Sequence, residues 1–214
     1  RGTSVMQQLE MKNEDAFSRM LCEITKKNFK PFSVEEMPSM MHRAIKAMMS
    51  GRPGPVTIDV PMDIQAKTAN VEIHNMKKRM PTGLAFPDPK DIDNAVKMLL
   101  SAQRPAIVAG GGVITANASE QLRQLAEKVG AAVGYTFNGK GAISDNHPLC
   151  VGGTGQTGTT AANSLLAKAD VLLSVGCRFT DWSSGSYAKG ATYAIPPCRL
   201  VHVDIDVHEI GKKV

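Results

Sequence analysis

A chain of 214 residues, 43% hydrophobic and 21% charged, has the size and balance of a globular protein with one domain, or one domain and part of another. Its net charge of +5 is thinly spread, and few aromatics accompany the basic runs KKNFK and KKR, which argues against a nucleic-acid-binding face. No apolar run approaches the ~18 residues of a membrane span, and RGTSVMQQ has no signal-peptide core.

The cysteines Cys22, Cys150, Cys177 and Cys198 are far apart and form no C-x-x-C, as expected of reduced thiols in a cytoplasmic protein. The start, without an initiator Met, and the end, HEIGKKV, suggest a piece of a longer protein.

The first clear helix is predicted over residues 33–50. Ser33 and Glu36 are spaced as a capping box. Met37, Met41, Ala44, Ile45 and Met48 then share one face, and Gly51 is a natural stop. Val56 to Val60 read as a short buried strand closed by Pro61. From 66 to 87 the periodicity disappears among prolines and mixed charge, which predicts a linker between residues 1–65 and a second domain over 88–214.

Asp88 and Pro89 open the next helix as N-cap and first residue, and Ile92, Ala95, Val96, Leu99 and Leu100 form its apolar face. PAIVA is then a strand. Asn117 and Glu120 cap a helix ending at Gly130, AAVGYT is a strand, and TTAANSLLAKA a helix. DVLLSVG and RLVHVDID are strands. Strands alternating with helices predict an α/β fold with a parallel sheet covered on both faces. Ligands of such sheets bind at the carboxyl ends of the strands.

Four loops occupy those ends. Gly110, Gly111 and Gly112 follow AIVA, where glycine lets a ligand approach and frees N–H groups for phosphate. Thr136 and Phe137 follow AAVGY. Gly176, Cys177, Arg178, Phe179 and Thr180 follow DVLLSV. Asp204 and Asp206 end the last strand, where an acid can bind ribose hydroxyls. Together they predict a nucleotide site.

GTGQTG, residues 153–158, matches the dinucleotide fingerprint, and a helix follows it. HPLCVG before it is too short and interrupted for a central strand, and Asp181 lies in a loop. An NAD site is therefore not predicted, although the helix N-terminus is still suited to an anion. His202, Asp204, Asp206 and His208 alternate along HVDIDVH, but this matches no standard metal motif, and no metal site is assigned.

GRPGPVTIDVPMDIQ closely resembles the end of the pyrimidine-binding domain of thiamine-diphosphate enzymes. IVAGGGV, TFNGKGA, VGGTGQTGTTAAN, GCRFTDWSSG and VHVDIDVHEIGK resemble, in that order, the central domain of acetolactate synthase catalytic subunits. RGTSVMQQ is similar to the segment after that family's substrate-channel loop.

The resemblance implies the end of a pyrimidine domain, a linker and a central domain with an FAD/NAD-type (DHS-like) nucleotide-binding fold. It implies a thiamine-diphosphate- and magnesium-dependent enzyme of branched-chain amino acid biosynthesis. Such an enzyme decarboxylates a 2-oxo acid such as pyruvate and forms a carbon–carbon bond. It also implies a homodimer or homotetramer in the cytoplasm, with thiamine diphosphate and magnesium motifs outside residues 1–214, so that this stretch alone is inactive.

The resemblance further implies FAD in the central domain. Its contacts carry over to Arg52, to Gly110, Gly111 and Gly112, and to Thr136 and Phe137. They continue with Thr154, Gly155, Gln156 and Thr157, then Gly176, Cys177, Arg178, Phe179 and Thr180, and finally Asp204 and Ile205. Gln7 and Lys26 are similar to positions near the substrate channel.

Met62, Thr157 and Trp182 stand where the family has lysine, histidine and arginine. This keeps related enzymes open: trihydroxycyclohexanedione hydrolase, sulfoacetaldehyde acetyltransferase and oxalyl-CoA decarboxylase, some with ADP or nothing in the central domain. From another class, a non-catalytic nucleotide-binding module stays open.

Overall fold

In the computed structural model, which describes residues 16–73, 75 and 85–214, the chain divides into two units, Arg1–Leu84 and Ala85–Val214. Among the described residues of the first come helix α1 (Ala16–Cys22) and strand β1 (Lys27–Phe29). Helix α2 (Met37–Met49) then crosses over to strand β2 (Val56–Ile58), and the turn of helix α3 (Met62–Gln65) follows. β1 and β2 pair in parallel, with Lys27 opposite Val56 and Phe29 opposite Ile58. Sequence reading missed β1 because three residues, one of them a lysine, carry no alternating pattern.

α2 begins later than its sequence suggests. Glu36 is the N-cap residue without a side-chain cap bond, and its carboxylate accepts from the Phe32 N–H at 3.2 Å. The expected Ser33–Glu36 capping box is thus not formed, and Pro38 sits in the first turn, where its missing N–H costs nothing. The buried face is set by Met40 and Ala44, whereas Met41 is exposed. β2 is half-buried and three residues long, where a buried strand reaching Val60 was expected.

In the second unit, helix α4 (Pro89–Leu100) has the predicted cap: the Asp88 carboxylate accepts from the Lys90 N–H at 2.9 Å. Leu99 is buried, while Ile92, Val96 and Leu100 are exposed, so only part of the apolar stripe packs. There follow strand β3 (Pro105–Ala109), helices α5 (Gly111–Thr115) and α6 (Ser119–Val129), and strand β4 (Ala132–Tyr135). Strand β5 (Cys150–Gly153), helix α7 (Thr160–Ala167), strand β6 (Val171–Val175), helix α8 (Asp181–Ser184) and strand β7 (Arg199–Val203) complete it. The cap expected at Asn117 is not there. α6 starts one residue later, with Ala118 as N-cap residue, and Asn117 takes a left-handed φ of 52°.

All five strands are parallel, in the order β5-β4-β3-β6-β7. Successive residues of a strand face opposite sides. Ile107 and Ala109 of β3 join Val133, Leu173, Leu122 and Ala126 in the core on one side. Ala106 and Val108 join Leu166, Leu172, Phe179 and Tyr193 on the other. Burial on both faces is why PAIVA and VLLSV, Ser174 apart, read as apolar runs. Ile107, Leu166 and Leu172 are wholly buried, each contributing about 1.5–3 kcal/mol.

Candidate functional site

The strand order reverses between β3 and β6, so the chain leaves these neighbouring strands in opposite directions across the sheet. In an open parallel sheet this is the place where a crevice forms outside the carboxyl ends. Two glycine loops meet there. The Gly110 N–H donates to the Val175 carbonyl at 2.8 Å, and the Gly112 N–H to Gly176 at 3.2 Å. A Cβ on Gly112 would lie 2.6 Å from the Gly176 Cα, and one on Gly110 would overlap the Gly176 carbonyl. The glycines at 110 and 112 are therefore required by backbone-to-backbone packing. Their N–H groups serve the neighbouring loop, and of this triplet only the Gly111 N–H has no partner among the described residues. The triplet itself enters α5 instead of forming an open loop.

The other predicted positions of this unit lie along the same edge. Thr136 is buried and its N–H donates to Ala109 at 2.9 Å, while Phe137, in a short 3-10 turn over Phe137–Gly139, is 89% exposed. The loop beyond is clasped to β4. The Lys140 ammonium meets the Asp145 carboxylate at 2.8 Å and the Tyr135 hydroxyl at 3.2 Å, and that hydroxyl donates to Asp145 at 2.8 Å. Lys140 holds the Asp145 carboxyl below the ordinary range, and the bond to Asp145 raises Tyr135.

GTGQTG does directly follow a strand, β5, which sequence reading discounted. It is the outermost strand, away from the β3–β6 crevice. The loop uses its donors internally. Thr154 N–H bonds to Tyr135, Gln156 N–H to the Trp182 carbonyl, and Gly158 N–H to Gly155, at 2.8–3.1 Å. The Asn163 amide accepts from Gly155 N–H at 3.0 Å and donates to its carbonyl at 2.9 Å. Gly155, at φ 87°, leaves no room for a Cβ against Trp182. α7 is capped by Thr159, whose hydroxyl accepts from Ala162 N–H at 3.0 Å. A glycine-cradled phosphate nest is therefore absent at this loop, and Thr157 is left as the loop's N–H without a partner among the described residues.

After β6, Gly176 bonds to Val203 at 2.8 Å, Cys177 and Phe179 are buried, and Arg178 is exposed between them. Burial pushes the Cys177 thiol up, keeping it protonated. The Thr180 carbonyl accepts from the N–H and hydroxyl of both Ser183 and Ser184. β7 ends at Val203, and Asp204 Oδ1 turns back to accept from Asp206 N–H at 2.9 Å. Ile205 is 63% exposed. His202 bonds to the Cys177 carbonyl and Asp206 Oδ1 to His208 N–H, so the HVDIDVH groups diverge. Among the described residues no cluster of His, Cys, Asp and Glu is arranged to hold a metal ion.

Arg52, Lys26 and Gln7 belong to the first unit, and Gln7 lies outside the described residues. Lys26 donates to the Ser50 and Arg52 carbonyls at 2.6 and 2.8 Å, a cation closing the end of α2. Ser186, Tyr187 and Asn163 shape the edge without having been singled out by sequence, and Trp182 is noted there only as a departure from the family pattern. Their bonds run to residues 8–30 positions away, which no local pattern encodes.

Residues 92–214 match the family model described as the thiamine pyrophosphate enzyme central domain. The chain is 40% identical over 197 residues to the probable acetolactate synthase large subunit of Methanococcus aeolicus, covering 89% of this chain and 32% of that protein. It is 40% identical over 199 residues to the corresponding protein of Methanocaldococcus jannaschii, with the same coverage. To the acetolactate synthase isozyme 1 large subunit of Escherichia coli it is 36% identical over 189 residues, 88% of this chain and 32% of that one. The chain thus spans about a third of the length of these relatives. Among the described residues no helix is long and apolar enough to cross a membrane.

Proposed function

The chain belongs to the thiamine pyrophosphate enzyme family through its central domain, and from that premise we propose that it is part of an acetolactate-synthase-like enzyme. The whole protein would decarboxylate a 2-oxo acid such as pyruvate and join the two-carbon unit to a second carbonyl. Thiamine diphosphate, when bound, supplies the nucleophilic carbon and the electron sink for that chemistry. The observation that carries the reading is the similarity to acetolactate synthase large subunits over nearly nine-tenths of the chain, at 36–40% identity. The enzyme acts as a homodimer or homotetramer, with the pyrimidine domain, through residues 1–65, and the diphosphate domain of a second subunit forming the active site.

Within that reading, residues 88–214 hold FAD at the carboxyl edge of the sheet. The donor set fits a dinucleotide. Arg178 offers a cation for a diphosphate, and Phe137, Trp182 and Ile205 offer exposed apolar surface for a ring system. Thr136, Thr154 and Thr157 add hydroxyls. Gln7 and Lys26 would stand by the substrate channel.

Thr157 and Trp182, which replace a histidine and an arginine of the acetolactate synthase pattern, favour a second reading. In it the central domain holds ADP, as in the oxalyl-CoA decarboxylase branch. The full-length protein decides. Carbon dioxide release from pyruvate that depends on added thiamine diphosphate and magnesium is expected, and its absence with every 2-oxo acid tried overturns the assignment. A flavin absorption band in the purified protein supports FAD, and a colourless protein that binds ADP supports the second reading.

A further inference from the structure

Arg178 is an exposed side chain between two buried ones: Cys177 is 2% and Phe179 1% exposed. Both flanking carbonyls are held by side chains from elsewhere. His202 Nε2, on β7, donates to the Cys177 carbonyl at 2.9 Å. The Tyr187 hydroxyl donates to the Phe179 carbonyl at 2.7 Å. The backbone around Arg178 is thus clamped on both sides, while its guanidinium makes no bond to any described residue.

The clamp is built on unfavourable backbone. Phe179 has φ 48°, a left-handed conformation that a residue with a Cβ adopts only when its surroundings demand it. The demand comes from its ring, packed edge-on against His202 at 5.2 Å and Tyr193 at 5.4 Å. Gly185, Ser186 and Tyr187 follow at φ 60°, 56° and 59°, three consecutive left-handed residues where such residues normally occur singly. Ser186 N–H bonds to Asp181 at 2.8 Å, and the Gln156 amide donates to the Ser186 hydroxyl. This turn delivers Tyr187 to Phe179 and ties the loop after β5 to the loop after β6.

We propose that Tyr187 and His202 are positioning residues that hold Arg178 at the carboxyl edge of the sheet for the diphosphate of a bound nucleotide. This rests on the nucleotide reading above. The left-handed turn over Gly185, Ser186 and Tyr187, unlike Phe179, is not part of the buried core, and strain kept there is accounted for by a ligand that uses the geometry.

The test is a double-mutant cycle in the full-length protein, with FAD and ADP as separate probes in titration calorimetry and thermal melts of each variant. Y187F, which keeps the ring and removes the donor, is expected to weaken the bound probe about tenfold. R178A weakens it at least as much, and Y187F/R178A is no weaker than R178A alone, because Tyr187 acts through Arg178.

Unchanged affinity in Y187F, or a loss that adds fully to that of R178A, overturns the proposal and leaves the nucleotide reading intact. A wild-type protein that binds neither probe overturns both. If Y187F does not fold, S186A replaces it in the same cycle with an expected loss of about threefold. Additivity there likewise overturns the proposal.

Discussion

Gly110 and Gly176 meet backbone to backbone across the β3–β6 crevice, with no room for a side chain between them. Each ends a central strand and each donates to the next strand's last carbonyl, Gly110 to Val175 and Gly176 to Val203, both at 2.8 Å. Gly110→Ala must push the two loops apart. The expected loss is about 3 kcal/mol, the upper range for overpacking, read as a lower urea midpoint. An unaltered midpoint would show that the loops yield freely.

Thr159 works on two elements at once. Its hydroxyl caps α7 at Ala162 and donates to the Val151 carbonyl of β5 at 2.9 Å. Thr159→Ala should cost about 1–2 kcal/mol, and Thr159→Ser, which keeps the hydroxyl, less than half of that. Equal losses in thermal melts of the two variants would assign the effect to the methyl group instead.

Asp170 joins the start of β6 to the start of β3. Its carboxylate accepts from the Gln103 and Arg104 N–H groups at 2.7 and 2.9 Å, and these bonds, Gln103 first, hold its pKa below the ordinary value. A depressed carboxylate stabilises the fold above its unfolded pKa of about 3.9. That stabilisation is lost as pH falls through the lower folded value. Asp170→Ala should therefore cost about 1 kcal/mol at pH 7, after allowance for solvent screening. The gap to the wild type should shrink below about pH 3.9. A gap constant from pH 7 to pH 2 would remove the carboxylate from the account.

Trp182 is the sole tryptophan of the 214 residues and is 64% exposed beside the GTGQTG loop. A flavin at this edge should quench its emission. The quenching measured on adding FAD to the full-length protein should fall in Trp182→Phe. Identical quenching in both would place the flavin elsewhere.

Much of the second unit is legible in the sequence because its determinants are local. PAIVA and VLLSV are apolar at every position but Ser174, as a doubly covered strand requires, and Asp88-Pro89 starts α4 as read. The Ser33–Glu36 box misled because Glu36 bonds to the neighbouring Phe32 N–H instead of to Ser33, a choice between two adjacent donors that the motif alone does not make. The face of α4 was drawn too wide, since periodicity marks which residues share a side but not how much of it is covered. Of the site, the strand-end loops could be named in advance. Asn163 and Tyr187 could not, because each acts through a backbone group distant in sequence.

By itself the sequence determined the alternation of strand and helix, and hence a parallel sheet, since periodicity and turn chemistry are properties of short segments. The tertiary structure alone decided what the glycines are for. Gly110, Gly112 and Gly155 read as open phosphate loops. In the fold they are sites where two backbones touch, and their N–H groups serve neighbouring carbonyls instead of awaiting an anion. A glycine records only that something comes close, and which strand or ligand that is depends on the order in which the sheet is assembled.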